Sequence, residues 1–193
     1  MTPSSTTPLD AAAGTLSTML LAVALDGAGW HPAAWREPAA RPAELFDPTY
    51  WIDLARTAER GGIDLITIED SFTLQSAHPF RPDERTDQVR GHLDAELIAA
   101  RLASATSHIG LVPTVTTTHT EPFHVANRIS SLDHISRGRA GWRVQVMRQR
   151  GEIDLFGRRE ADALTSKAEP RFEEAADAVE VARRLWDSWE DDA

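Results

Sequence analysis

The chain has 193 residues, of which 41% are hydrophobic, so it is long enough to form one domain with a packed core. Its formal net charge of −10 argues against nucleic acid or an anionic membrane surface as the main partner. Cysteine is absent, which excludes disulfides, thiolate metal ligands and a cysteine nucleophile.

Residues 1–18 are predicted to form a disordered N-terminal tail, because residues 1–14 are rich in Ser, Thr, Pro and Ala. This segment lacks the basic stretch of a signal peptide, and the apolar run at 19–25 is too short to span a bilayer. We therefore expect residues 19–193 to form the single domain of a cytoplasmic protein without a membrane partner.

Strands and helices are predicted to alternate along the rest of the chain. Apolar runs predict four strands, at residues 19–25, 63–69, 109–115 and 142–146. The unbroken run of the first strand is typical of a strand covered on both faces. Capping signals predict four helices, beginning at Asp47-Pro48, Asp94, Pro122 and Pro170. The charged residues 151–167 are predicted to be irregular.

Right-handed crossovers turn four such strand–helix units into a parallel sheet, which is an α/β fold. The chain is short for a complete eight-unit barrel, which typically needs about 250 residues. Half a barrel would leave its first and fourth strands unpaired. The sheet is therefore either small and open with protected edges, or completed by strands of another chain. Two copies could close an eight-stranded barrel with each other.

Two polar residues stand at predicted strand ends, where alternation could point them inward. Asp70 follows the second strand and Thr116 the third, and a carboxylate and a hydroxyl there can order the polar edge of a ring. The plainer alternatives are a capping or loop carboxylate for Asp70 and a β-branched strand residue for Thr116. The seven histidines show no ligand spacing such as His-Glu-x-x-His, so no metal site is predicted, and no catalytic residue is assigned.

A local cluster of arginines lies in and around the fourth predicted strand. Its members are Arg137, Arg139, Arg143, Arg148 and Arg150. Nucleic-acid binding would use such a patch, but the negative net charge favours a solvated rim or contact with an anionic ligand.

Five motifs follow one another along the chain: GWHPAAWR at 29–36, IDLITIEDSF at 63–72, EPFHVANR at 121–128, LDHISRGRAGW at 132–142 and LWDSWEDD at 185–192. Together they resemble the bacterial luciferase-like, flavin-dependent monooxygenases, most nearly the branch of nitrilotriacetate and dibenzothiophene-sulfone monooxygenases. The similarity runs from about Leu20 to the last residue. It implies a TIM (β/α)8-type barrel, truncated here to about the first four βα units.

The resemblance also implies a chemistry. Members of the family use reduced FMN, usually delivered by a separate NAD(P)H-dependent flavin reductase, to activate O2 and oxygenate an organic substrate. By position, Asp70 and Thr116 match flavin-binding residues, and His31 would lie at the mouth of the substrate site. For His31, a loop histidine that is hydrogen-bonded to the backbone is an equally good interpretation.

Several positions depart from the family pattern. Arg143 replaces an asparagine, and Val146 and Met147 replace a hydroxyl pair. Ala168 and Phe172 stand where a histidine and a tyrosine contact the flavin. The later strands, which carry the phosphate site in the family, are missing.

Two functions therefore agree with the sequence. One is an incomplete FMN-dependent monooxygenase that acts as a homo-oligomer or with a complementing chain. The other is a non-catalytic remnant or subunit that binds a partner chain through open sheet edges.

Overall fold

The computed structural model describes residues 19–76, 78, 83–147, 150–157 and 169–189, so the predicted tail at 1–18, Arg148 and Ala168 lie outside the described residues. The strands are β1 (Ala22–Leu25), β2 (Leu65–Ile68), β3 (Gly110–Thr116) and β4 (Arg143–Gln145). The α-helices are α1 (Pro48–Arg60), α2 (Ala95–Ala103), α3 (Pro122–Ser136), α4 (Arg150–Phe156) and α5 (Glu169–Asp187). Two short 3-10 helices, Ala34–Arg36 and Pro42–Glu44, lie in the long loop before α1.

The four strands form one parallel sheet in the order β1-β2-β3-β4. Ala22 pairs with Leu65, and Leu65 pairs with Gly110. Farther along β3, Thr114 pairs with Arg143 of β4. Each connection returns the chain to the start of a neighbouring strand, so strands that follow one another in sequence also lie side by side. The predicted four-stranded parallel sheet is confirmed.

Local signals account for the ends of the helices. The carboxylate of Asp47 accepts the N–H of Thr49 at 2.8 Å and caps α1, as predicted. Asp94 caps α2 in the same way, through the N–H of Leu97 at 2.9 Å. The chain turns out of α3 at Arg137, which takes the left-handed conformation with a φ of +62°, and Gly138 follows it with a φ of +82°. None of the helices in the described ranges combines the length and the apolarity that a membrane crossing needs.

The helices cover one face of the sheet. Ile66 and Ile68 of β2 and Leu111 of β3 are fully buried and pack in one core with side chains of α1 and α2. Because side chains alternate along a strand, Thr67 and Thr114 lie on the opposite face, which these helices leave uncovered. The carboxyl ends of the strands therefore present polar residues on the side of the sheet opposite α1 and α2.

Two predictions about elements are wrong. The run at 19–25 is not covered on both faces, since Met19 and Leu20 are 80% and 70% exposed. Within β1 itself, Val23 and Leu25 pack against the core on the side of the helices, whereas Ala22 and Ala24 on the other face are exposed. The start of the segment predicted to be irregular belongs to α4, in which Ile153 is fully buried. Burial of that side chain outweighs the unfavourable local composition.

Candidate functional site

A cavity of about 350 Å³ opens at the carboxyl ends of β2, β3 and β4. Asp70 follows β2, Thr116 ends β3 and Gln145 ends β4, and all three residues line this cavity. Parallel strands bring their carboxyl ends to the same edge of a sheet, which is where α/β sheets and barrels bind ligands. The structure therefore brings the predicted pair, Asp70 and Thr116, into one site.

Both oxygens of the Asp70 carboxylate are held by the backbone. Its Oδ1 accepts the N–H of Ser71 at 2.7 Å, and its Oδ2 accepts the N–H of Ala95, the first residue of α2, at 3.0 Å. Burial raises the pKa of Asp70, and the N–H groups of Ala95 and Ser71 oppose this rise because they stabilise the charged form. Asp70 therefore has the capping role of the plainer interpretation, and it also lines the cavity.

Threonines form the wall that β3 contributes. Thr114 and Thr116 are both buried and both line the cavity. The Oγ1 of Thr116 accepts the N–H of Thr118 at 3.2 Å, and the Oγ1 of Thr118 accepts the N–H of Met147 at 2.9 Å. These bonds fix the turn after β3 against the end of β4. Because the Thr116 hydroxyl acts only as acceptor in this bond, its own hydrogen can be donated to a ligand.

Two cross-links at the site were not foreseen from the sequence. The Nε2 of Gln145 donates to the backbone oxygen of Asp70 at 3.1 Å, which ties β4 to the end of β2. The Oγ of Ser71 donates to Oε1 of Glu152 at 3.0 Å, which brings α4 to the cavity. Gln145 had a sequence signal, because it lies near the end of a predicted strand. Glu152 had none, because its segment was predicted to be irregular.

Aromatic side chains close one side of the cavity. The ring of Phe156 stacks on that of His119 with 4.3 Å between centroids and meets the ring of Phe72 edge-on at 5.2 Å. All three residues line the cavity. Phe156 belongs to α4, so this wall also depends on the helix that the sequence did not predict.

The cavity has an acidic rim. Asp94, Glu96 and Glu121 line it together with Asp70, and Arg128 donates to Oε2 of Glu96 at 3.0 Å. Burial raises the pKa of Glu96, and the positive charge of Arg128 opposes this rise. Such a rim suits the neutral or hydrogen-donating part of a ligand, and it repels a phosphate. Within the described residues, no group of three or more His, Cys, Asp or Glu side chains is placed to hold a metal ion.

Two arginines of the 137–150 cluster are bound by the chain itself. Arg139 donates hydrogen bonds to four backbone carbonyl groups, including that of Ile109 at 2.7 Å. The Nη1 of Arg143 donates to Oε2 of Glu69 at 2.5 Å and to Oγ1 of Thr114 at 3.0 Å. The structure thus gives both guanidinium groups partners within the fold instead of an anionic ligand.

Two residues singled out by the sequence lie away from the Asp70 cavity. His31 lines a different cavity of about 320 Å³, together with Trp30 and Trp35. Its Nδ1 accepts the N–H of Ala33 at 3.1 Å, so the alternative of a backbone-bonded loop histidine describes its local contact. Phe172, which stands at the family's tyrosine position, is 59% exposed on α5 and contributes nothing to the described lining of the Asp70 cavity.

Comparison with known proteins decides the family. Residues 30–192 match the sequence model of the family described as luciferase-like monooxygenase. The chain belongs to this family. Nitrilotriacetate monooxygenase component A of Aminobacter aminovorans is 37% identical to this luciferase-like chain over 170 residues, which cover 86% of the chain and 37% of that relative.

Solved structures agree with this assignment. EDTA monooxygenase from Chelativorans sp. BNC1 superimposes with a TM-score of 0.76 at 26% identity, over 89% of this luciferase-like chain and 39% of that protein. Riboflavin lyase, solved with modified FMN and riboflavin, gives a TM-score of 0.67 at 29% identity, over 91% and 40% of the two chains. The chain therefore spans about two fifths of the length of the relatives that it matches. The resemblance and the partial α/β barrel fold are confirmed.

Proposed function

We propose that this chain is part of an FMN-dependent monooxygenase, in which reduced FMN from a separate flavin reductase and O2 oxygenate a small organic substrate. One observation carries the proposal: Asp70, Thr116 and Gln145 line a single cavity at the carboxyl ends of three neighbouring strands. Family membership and relatives described as monooxygenases support the reaction class. A relative solved with modified FMN supports the cofactor.

The lining residues fit the polar edge of a flavin ring, which presents both N–H donors and carbonyl acceptors. The Asp70 carboxylate can accept an N–H, and the Thr116 hydroxyl can donate to a carbonyl. Gln145 holds the backbone of Asp70 through its amide nitrogen, so its amide oxygen is left to accept from a ligand. When bound, reduced FMN would supply the electrons that activate O2, while these residues orient the ring. Because the acidic rim would repel a phosphate, we assign the phosphate end of the flavin to a position outside this cavity.

The organic substrate is assigned to the second cavity, beside His31. Trp30 and Trp35 supply aromatic surface there, and Gln75 and Arg85 supply polar groups, which is the usual composition of a small-molecule site. Because Nδ1 of His31 already accepts a backbone N–H, its Nε2 is the atom that can face a substrate.

A flavin titration tests the proposal. Reduced FMN is added anaerobically to the purified chain, and binding is followed by the change in flavin absorbance. Replacing Asp70 by Asn, or Gln145 by Leu, should weaken binding by about tenfold, equivalent to about 1.4 kcal/mol, since each change removes one polar contact. Asp187→Asn is the matched control, because Asp187 is an exposed carboxylate on α5 and lies outside the described lining of the cavity.

Stability is measured in parallel, because Asp70→Asn also removes an acceptor for the N–H of Ala95. If both site variants are folded by circular dichroism and bind reduced FMN as tightly as the unchanged chain, the assignment of the cavity is wrong. Oxygen consumption above that of a flavin-and-reductase blank would support the enzyme. A folded chain without any affinity for reduced FMN would instead support a non-catalytic subunit.

A further inference from the structure

A buried histidine contacts two residues that line the His31 cavity. The side chain of His92 is only 8% exposed, and its ring lies beside Asp26 and Gln75, both of which belong to the cavity lining. Asp26 follows β1 and Gln75 lies in the loop after β2. The ring of His92 therefore joins two segments of the cavity wall without being part of the described lining itself.

The backbone fixes the orientation of the Gln75 amide. Its Oε1 accepts the N–H of Gly91, another lining residue, at 2.8 Å. If the amide were turned over, its NH2 group would face this N–H, and two donors would meet. The oxygen of Gln75 therefore faces Gly91, and the amide nitrogen faces His92, with 2.5 Å between the two Nε2 atoms.

This contact determines which nitrogen of His92 carries the hydrogen. An amide nitrogen can only donate, so the Nε2 of His92 must be the acceptor and has no hydrogen of its own. The single hydrogen of a neutral imidazole is then on Nδ1. The Nδ1 of His92 lies 3.7 Å from Oδ1 of Asp26. In this network His92 is neutral and turns its N–H towards a carboxylate.

Charged groups near His92 come from several segments. Within the described residues they are Asp26 after β1, Asp70 after β2, the capping Asp94 of α2, and the ion pair of Arg90 with Asp83. Burial raises the pKa of Asp70, and a positive charge on His92 opposes this rise, so the ring is within electrostatic reach of that carboxylate. The carboxylates favour a charged ring, whereas its burial opposes one.

A second proton on His92 is incompatible with the observed hydrogen bonds. The proton would be on Nε2, which would then face the NH2 group of Gln75 as one donor facing another. Turning the Gln75 amide over does not remove the conflict, because the NH2 group would then face the N–H of Gly91. One of the two bonds that hold Gln75 must therefore break when His92 becomes charged.

We propose that His92 is a positioning residue of the His31 cavity. In its neutral form it holds the Gln75 amide in the cavity wall, and when it takes a second proton it releases this amide. The inference rests on the proposed function in one respect, which is the assignment of this cavity to the organic substrate. Because histidine is the side chain that changes charge between pH 5 and 8, the arrangement makes the cavity wall sensitive to pH in that range.

Two variants separate this role from simple packing. His92→Gln keeps a neutral group that can accept from Gln75 through its oxygen and donate to Asp26 through its nitrogen, but it takes no proton in this pH range. His92→Leu removes both contacts. His134→Gln is the matched control, since His134 is exposed on α3 and lies outside the described lining of the His31 cavity. Circular dichroism shows which variants are folded.

Hydrogen exchange of the Gly91 amide, followed by NMR, is the measurement. Protection is compared at about pH 8 and about pH 5.5, each relative to an unstructured peptide at the same pH, so that the intrinsic effect of pH on exchange cancels. In the unchanged chain, protection should be about tenfold lower at the lower pH, as for the loss of one hydrogen bond. It should be equal at both pH values in His92→Gln and low at both in His92→Leu. His134→Gln should behave as the unchanged chain.

The 15N spectrum of the His92 ring tests the tautomer directly, and at about pH 8 its hydrogen should be on Nδ1. A hydrogen on Nε2 at that pH would overturn the proposal. Equal protection of Gly91 at both pH values in the unchanged chain, or a loss in His92→Gln as large as in the unchanged chain, would also overturn it. These comparisons remain decisive if His92→Leu does not fold.

Neither measurement uses flavin or substrate. A chain that shows the expected pH dependence but has no affinity for reduced FMN would retain the role of His92 and lose the proposed function. A chain that binds reduced FMN while Gly91 is equally protected at both pH values would do the reverse. The two proposals can therefore fail separately.

Discussion

Arg143 joins three neighbouring strands on the face that α1 and α2 leave uncovered. Its Nη1 lies 2.5 Å from Oε2 of Glu69, at the end of β2, and 3.0 Å from Oγ1 of Thr114 in β3. The carboxylate side chain is only 13% exposed, against 40% for the arginine. The family pattern has an asparagine at this position, so from the sequence the arginine could be taken for a change that impairs flavin binding. In the structure it neutralises a carboxylate of the sheet.

Arg143→Asn should lower the free energy of unfolding by about 2 kcal/mol, because it leaves the Glu69 carboxylate without its cation. Urea unfolding followed by circular dichroism measures this loss. The double variant Arg143→Asn/Glu69→Gln should recover most of it, since no unpaired charge is left. Affinity for reduced FMN should not change, because Arg143 is outside the described lining of the Asp70 cavity. An unfolding midpoint equal to that of the unchanged chain would contradict the structural role.

At the scale of elements, the carboxylate of Glu59 links α1 to the start of β3 through hydrogen bonds. Glu59 accepts the N–H groups of Ser107, His108 and Ile109 at 2.7, 2.6 and 3.1 Å. Burial opposes the ionisation of Glu59, but the three N–H donors outweigh burial and lower its pKa. The helix and the strand are therefore held together best when this carboxylate is charged.

Glu59→Gln should cost about 2 kcal/mol of unfolding free energy near pH 7, since an amide oxygen is a weaker acceptor than a carboxylate. A lowered pKa stabilises the fold above the ordinary glutamate value of about 4.3, and this contribution disappears as the pH falls through the folded-state pKa. The difference in unfolding free energy between the unchanged chain and the Glu59→Gln chain, measured by urea unfolding, should therefore be smaller at about pH 3.5 than near pH 7.

Glu173→Gln provides the control for that experiment, because Glu173 is an exposed carboxylate on α5. It should change the unfolding free energy little at either pH. If the loss caused by Glu59→Gln were the same at both values of pH, ionisation of Glu59 would not be the source of its stabilising effect.

Over the whole molecule, negative charge is in excess, with 30 Asp and Glu residues against 20 Lys and Arg residues. Surface pairs such as Arg85–Asp87 offset this excess only locally and contribute little to stability. The compact state therefore carries a general self-repulsion at neutral pH that the expanded chain relieves.

Raising the salt concentration from about 0.01 to about 0.1 M should stabilise the chain, since the screening length falls from about 30 to about 10 Å. The urea midpoint at neutral pH should rise over this range. Near pH 5, close to the isoelectric point of 5.1, the same titration should have little effect. A midpoint that falls with salt at neutral pH would show that favourable ion pairs outweigh the repulsion.

Most elements could be predicted from the sequence because their signals act over a few residues. Asp47 and Asp94 cap their helices through N–H groups two and three residues away. The exposure of the run at 19–25 could not be predicted, because it depends on which elements pack over that segment. The α4 helix could not be predicted either, because burial of Ile153 depends on packing against distant parts of the chain.

The sequence alone determined the family, the parallel order of the strands, and the strand-end positions of Asp70 and Thr116. Only the tertiary structure decided what surrounds them. Gln145 bonds to the backbone of Asp70 across 75 residues of sequence, and Ser71 bonds to Glu152 across 81. Contacts over such separations depend on how the sheet and its helices pack, and no local pattern encodes that packing. The hydrogen-bond partners of Arg143 could not be predicted from the sequence for the same physical reason.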